Sequence, residues 1–132
     1  TTEIYTLSLH DALPISNGLV ARVAALDYVI DNEDVIELCM GLVSGDQINY
    51  NLLIKEYPVF AINGCDGNCV EKILNERGVK PAGAINIGEE LEKQSYTPND
   101  PARLDEEGEK CVEYIKTRLN EELKKIFENQ KE

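Results

Sequence analysis

Val59-Phe60-Ala61-Ile62-Asn63-Gly64-Cys65-Asp66-Gly67-Asn68-Cys69 is four apolar residues closed by Asn63, then a polar, glycine-rich turn carrying two cysteines. The apolar run follows Pro58 and reads as a buried strand over 59–63. Gly64 breaks it. Cys65 to Arg77 then reads as a helix, closed by Gly78. A strand that feeds a helix through a glycine turn is the βα unit of a parallel sheet.

The same alternation extends in both directions. Upstream, Val35 to Met40 reads as a short buried strand. Ser44-Gly45-Asp46 makes a turn and a cap for a helix from Gln47 to Glu56. Before these, Gly18 to Ile30 reads as a helix with Leu19, Val23, Leu26 and Ile30 at helical spacing, ended by Asp31-Asn32. Downstream, Ala82 to Ile87 is a third strand, weakened by Gly83. Glu92 to Leu104, with Pro98 and Pro101, reads as a surface loop. Asp105 to Asn129 is a long helix whose apolar stripe is Val112, Ile115, Leu119, Leu123 and Ile126. The expected fold is therefore α/β: a three-layer, mostly parallel, Rossmann-like sheet with helices on both faces.

The pattern starts on a helix, whereas such folds normally start on a strand. Thr1 to Ile15 stands where that strand belongs. This run reads back, codon for codon, to the interior of a widely used short-read library adapter. Residues 1–16 are accordingly set aside as adapter-derived, although Glu3 to Leu9 alternates like a strand. The expectation is that 17–132 is a single α/β domain, a fragment whose first native strand is missing. His10 is the only histidine in the chain. Without it, Ser/His, Cys/His and histidine-metal schemes have no residues to use.

The 116 residues from Asn17 onward suffice for one domain with a real core. The chain carries 25 acidic and 13 basic residues, a formal net charge of −12. Such a surface repels a phosphate backbone, which argues against nucleic-acid binding. No apolar run approaches the roughly 20 residues that span a membrane. The expected setting is cytoplasmic. Any protein or small-molecule partner goes unnamed, and no catalytic residue stands out.

The chemistry lies with the cysteines: Cys39, Cys65, Cys69 and Cys111. In an acidic cytosolic domain, such spacing points to metal or thiol chemistry before disulfides. Parallel sheets bind ligands at the carboxyl ends of their strands. Cys39 lies near the end of one strand. Cys65 follows the next, and Cys69 lies one helical turn on, on the same face. A helix N-terminus there favours thiolate, the form that binds metal. Plainer roles compete: Cys39 suits a small core residue, Cys111 suits core filler beside the last helix's stripe, and Asp66 suits an N-terminal helix charge.

Gly18-Leu19-Val20-Ala21-Arg22-Val23-Ala24-Ala25, Leu38-Cys39, Val59 to Cys65 with Cys69, and Leu104-Asp105-Glu106-Glu107-Gly108 together resemble the family named for its Asp-Gly-Cys motif, the DGC-domain family. The resemblance covers most of Asn17 to Gln130. It implies zinc binding by four cysteines, three of which correspond to Cys39, Cys65 and Cys69. The fourth belongs to a Cys-Ser-Gly-type loop before the first helix, absent here. Asn63 stands where the motif has Asp. The leading expectation is a zinc domain with Cys39, Cys65 and Cys69 as ligands. Two others use the same sheet edge: a thiol redox enzyme with Cys65 as nucleophile and Cys69 resolving, and a small-ligand or iron–sulfur site.

Overall fold

The structure, a computed structural model, describes residues 5–9, 16–39, 43–45, 48–64 and 67–130. In chain order it contains β1 (Tyr5–Leu9), α1 (Ser16–Asp31), β2 (Val35–Cys39), α2 (Ile48–Glu56), β3 (Val59–Asn63), α3 (Cys69–Glu76), β4 (Gly83–Asn86), α4 (Ile87–Glu92) and α5 (Glu106–Gln130). The four strands form one sheet in the order β2-β1-β3-β4, every pair parallel.

The slot for a first strand is filled rather than empty. Tyr5–Leu9 is a central strand, with Leu9 level with Cys39 on one side and Ile62 on the other. Residues within the segment set aside as adapter-derived thus supply a strand of this sheet, where the first strand was expected to be missing. A central parallel position asks of a segment that its backbone pair on both sides, and an alternating Tyr-Thr-Leu-Ser-Leu run satisfies it.

Strand β3 shows why the chain is α/β. All five of its residues are buried. Phe60 and Ile62 join a cluster with Ala21, Ala24 and Ala25 of α1, Leu91 of α4 and Ile115, Leu119 and Leu123 of α5. Val59 and Ala61 join a separate cluster with Ile54 of α2 and Val70 and Leu74 of α3. The period of two along a strand separates these partners. A run apolar at every position is what a strand buried on both faces requires.

Helix α1 buries a different face from the one expected. Gly18, Leu19, Val20, Ala21, Ala24, Ala25 and Tyr28 are buried. Leu26 and Ile30, assigned to the buried stripe, are 44% and 78% exposed. The small residues win because the helix lies close to the sheet. A Cβ on Gly64, just past β3, would come within 3.1 Å of the Gly18 Cα. Asn32 closes α1 as expected, its Nδ2 donating to the Tyr28 carbonyl at 2.8 Å.

Helix α5 follows its stripe: Val112, Ile115, Leu119 and Leu123 are buried, and Ile126 is partly so. Asp105 caps it, accepting from the Gly108 N–H at 2.7 Å. Helix α3 ends at Gly78, whose φ of 72° is left-handed. The Val79 N–H reaches the Leu74 carbonyl and the Gly78 N–H reaches that of Asn75, the paired bonds of a Schellman motif. Helix α4 was not expected. Asn86 starts it, its Oδ1 accepting from the Glu89 N–H at 3.2 Å. One and a half turns are too short for a periodic signal.

Candidate functional site

The carboxyl ends of all four strands lie on one edge of the sheet. From β1 the chain passes to β2 on one side, then crosses to β3 on the other. That reversal makes the carboxyl ends of β1 and β3 the topological switch point, the place where open α/β sheets hold ligands.

Cys39 is the last residue of β2, at this edge. It is level with Ile62 of β3, but Leu9 of β1 stands between them. The two strands are thus two spacings apart, roughly 10 Å. Cys69 is partly exposed and is the first residue of α3. The helix was expected to begin at Cys65 and instead begins four residues later. Gly67 and Asn68 lie outside it. Cys65 and Asp66 lie outside the described residues, as do Met40, Asp46 and Gln47.

A set of amides ties the edge together. Asn63, fully buried at the end of β3, donates through Nδ2 to Glu71 Oε1 at 2.9 Å and to the Ile85 carbonyl at 3.3 Å. The first bond anchors the opening turn of α3 to β3, and the second anchors β4. A carboxylate at position 63 would face Glu71 as a like charge, so this environment selects the amide. Among the described residues its buried Oδ1 has no hydrogen-bond partner. Asn68 precedes α3 in a left-handed conformation, φ 52° and ψ 48°. Its side chain accepts from Asn86 Nδ2 at 2.9 Å. At the far end of α3, Arg77 Nε and Nη2 donate to the Val43 and Ser44 carbonyls at 2.9 and 2.8 Å. The β2–α2 connection is thereby held against α3. Asn63 is visible in the sequence as the polar residue ending an apolar run, whereas nothing local marks Glu71 as its partner.

Cys111 stands apart. It is buried in the α1–α5 core, and burial, reinforced by Glu107 and Asp105, pushes its thiol up to about 11. A raised thiol favours the neutral form in the folded state. Its stabilising contribution is complete below the ordinary thiol range and disappears as pH rises through about 11. Cys111 is therefore expected to resist thiol reagents at neutral pH in the native protein and to react on unfolding. Native and denatured thiol counts by a colorimetric disulfide reagent, with Cys111→Ala as reference, measure this. Equal native reactivity with and without Cys111 would confirm it.

Among the described residues, no group of three or more His, Cys, Asp or Glu is placed to hold a metal ion. The side chain of Cys39 and all of Cys65 fall outside that comparison. The family model of the DGC domain matches residues 15–115, from just before α1 to the middle of α5. The chain belongs to the DGC-domain family. No curated protein and no solved structure matches it. Within this DGC domain the matched residues take in Cys39, the β3–α3 turn and Cys69, while β1 lies outside them. No helix among the described residues is long and apolar enough to cross a membrane.

Proposed function

We propose that this DGC domain binds zinc through the thiolates of Cys39, Cys65 and Cys69, at the carboxyl edge of a three-layer, Rossmann-like fold. The observation that carries the reading is the parallel topology. It brings the last residue of β2 and the first residue of α3 to the edge where such sheets hold ligands. The donor set suits the metal: soft thiolates favour zinc, at Zn–S distances near ~2.3 Å. With Cys39 two strands from β3, the bound ion would sit over the end of β1. Three thiolates leave a fourth position for water or another ligand. Bound there, zinc would act as a structural tie or as a Lewis acid. The buried Oδ1 of Asn63, without a partner among the described residues, adds a neutral acceptor at the end of β3. Residues 1–16 are taken, in the same reading, as adapter-derived, and 17–132 as the zinc-binding domain.

Metal analysis of a reduced preparation, with cobalt titration, tests the proposal. One equivalent of zinc and a thiolate-to-cobalt charge-transfer band are expected. Cys39→Ser and Cys69→Ser should each weaken binding by more than the roughly 10–100-fold that losing an outer-shell partner costs. Absence of both the metal and the band would overturn the reading. A disulfide between Cys65 and Cys69 that exchanges with small thiols would favour redox chemistry instead.

A further inference from the structure

Asn63-Gly64, at the end of β3, is one of two Asn-Gly pairs in the chain; Asn17-Gly18 is the other. Such a pair is chemically labile, because glycine has no Cβ to obstruct attack by its nitrogen on the preceding carboxamide. The fold requires both residues at 63 and 64. A Cβ at position 64 would meet the Gly18 Cα at 3.1 Å, so α1 lies too close for a larger side chain. Position 63 needs an amide, because its Nδ2 donates to Glu71 Oε1 at 2.9 Å and to the Ile85 carbonyl at 3.3 Å. In the closed fold the pair is restrained from reacting. Asn63 is fully buried and lies level with Asn86 of β4. Ring closure needs its side chain to leave both acceptors and the main chain to rotate at 63–64. Both motions require β3 to part from β4 and α3, a local opening.

We propose that Asn63-Gly64 is a spontaneous modification site gated by the fold, which converts an opening of this sheet edge into a lasting covalent change. Once the edge is open, the Gly64 nitrogen bonds to the Asn63 Cγ. The Cγ–Nδ2 bond breaks, and ammonia leaves with the proton from the Gly64 nitrogen. Water then opens the succinimide ring to aspartate or isoaspartate. Neither product fits the closed edge. An aspartate faces Glu71 as a like charge, and the Ile85 carbonyl loses its side-chain donor. An isoaspartate adds a main-chain carbon and disturbs the register with Asn86. A chain that has opened is thereby marked and hindered from closing again. The reaction consumes only water and does not depend on metal at the cysteines.

The test is peptide mapping by mass spectrometry of the full, reduced chain held at mildly alkaline pH, with the tryptic peptide 56–72 reporting on Asn63. Asn63 is expected to deamidate at least about tenfold faster in urea than in native buffer, because the closed population protects it. In urea, Asn17 provides the reference and should react at a comparable rate. Asn63→Asp, which imitates the product, should lower the folded-to-unfolded ratio about tenfold or more in urea denaturation. Adding Glu71→Gln should restore part of that loss, since the like charge is removed. Equal rates at Asn63 in urea and native buffer would overturn the proposal. So would an inert Asn63 in urea while Asn17 reacts, or an Asn63→Asp chain as stable as the parent.

Discussion

Phe60→Ala is expected to lower the unfolding free energy by about 3–5 kcal/mol, the range for emptying a buried aromatic site. Phe60 is fully buried and is among the largest such side chains in the protein. It stands on β3 and packs into the cluster built by α1, α4 and α5. The helices are fixed to their strands and to one another, so the cavity cannot close by a small shift. For a domain whose total stability lies in the usual range of about 5–15 kcal/mol, this loss approaches unfolding. Urea denaturation followed by circular dichroism measures it. Phe60→Leu, which keeps most of the volume, should lose much less; equal losses would place Phe60 outside the rigid core.

The second large effect concerns a buried carboxylate. Glu90 of α4 has a side chain only 8% exposed, and Arg118 of α5 meets it through Nε at 3.0 Å. The guanidinium also binds Glu121 at 2.5 Å and Glu122 at 2.8 Å. Its pKa is raised above the usual value, the hydrogen bond to Glu90 outweighing its own desolvation. Burial pulls the Glu122 carboxyl upward, but the bonds from Arg118 and Lys125 prevail and hold it below its ordinary value. That contribution is present above the ordinary carboxyl range and is lost as pH falls through the lowered value. Arg118→Ala should cost about 1.5–3 kcal/mol, because the buried Glu90 carboxylate keeps only the exposed Lys93 ammonium, 3.4 Å from its Oε1. Adding Glu90→Gln should recover part of the loss, since the buried charge is gone. A double-mutant cycle with no recovery would show that the pair acts through packing alone.

Much of the framework was legible in the chain. The uninterrupted apolar run of β3, the 3.6-residue stripe of α5 and the Gly78 stop each express a local rule, and each is found in the structure. Other elements depended on distant partners. The buried face of α1 is set by how closely the helix approaches Gly64, so small residues displaced Leu26 and Ile30 from the interior. The start of α3 moved to Cys69, with Asn68 turned left-handed and bonded to Asn86, eighteen residues away. Glu71 gained meaning only from Asn63 across the sheet edge.

The cysteines divide in the same way. Their residue type and their places after apolar strands and at a glycine turn could be read directly, and so could the acidic net charge. The sequence by itself determined an alternation of strands and helices, because the periods of two and 3.6 are written into neighbouring residues. The tertiary structure alone decided that β1 lies between β2 and β3, which sets Cys39 two strands from the β3 turn. Strand order is fixed by pairing and packing between segments far apart in the chain, and no local pattern encodes it.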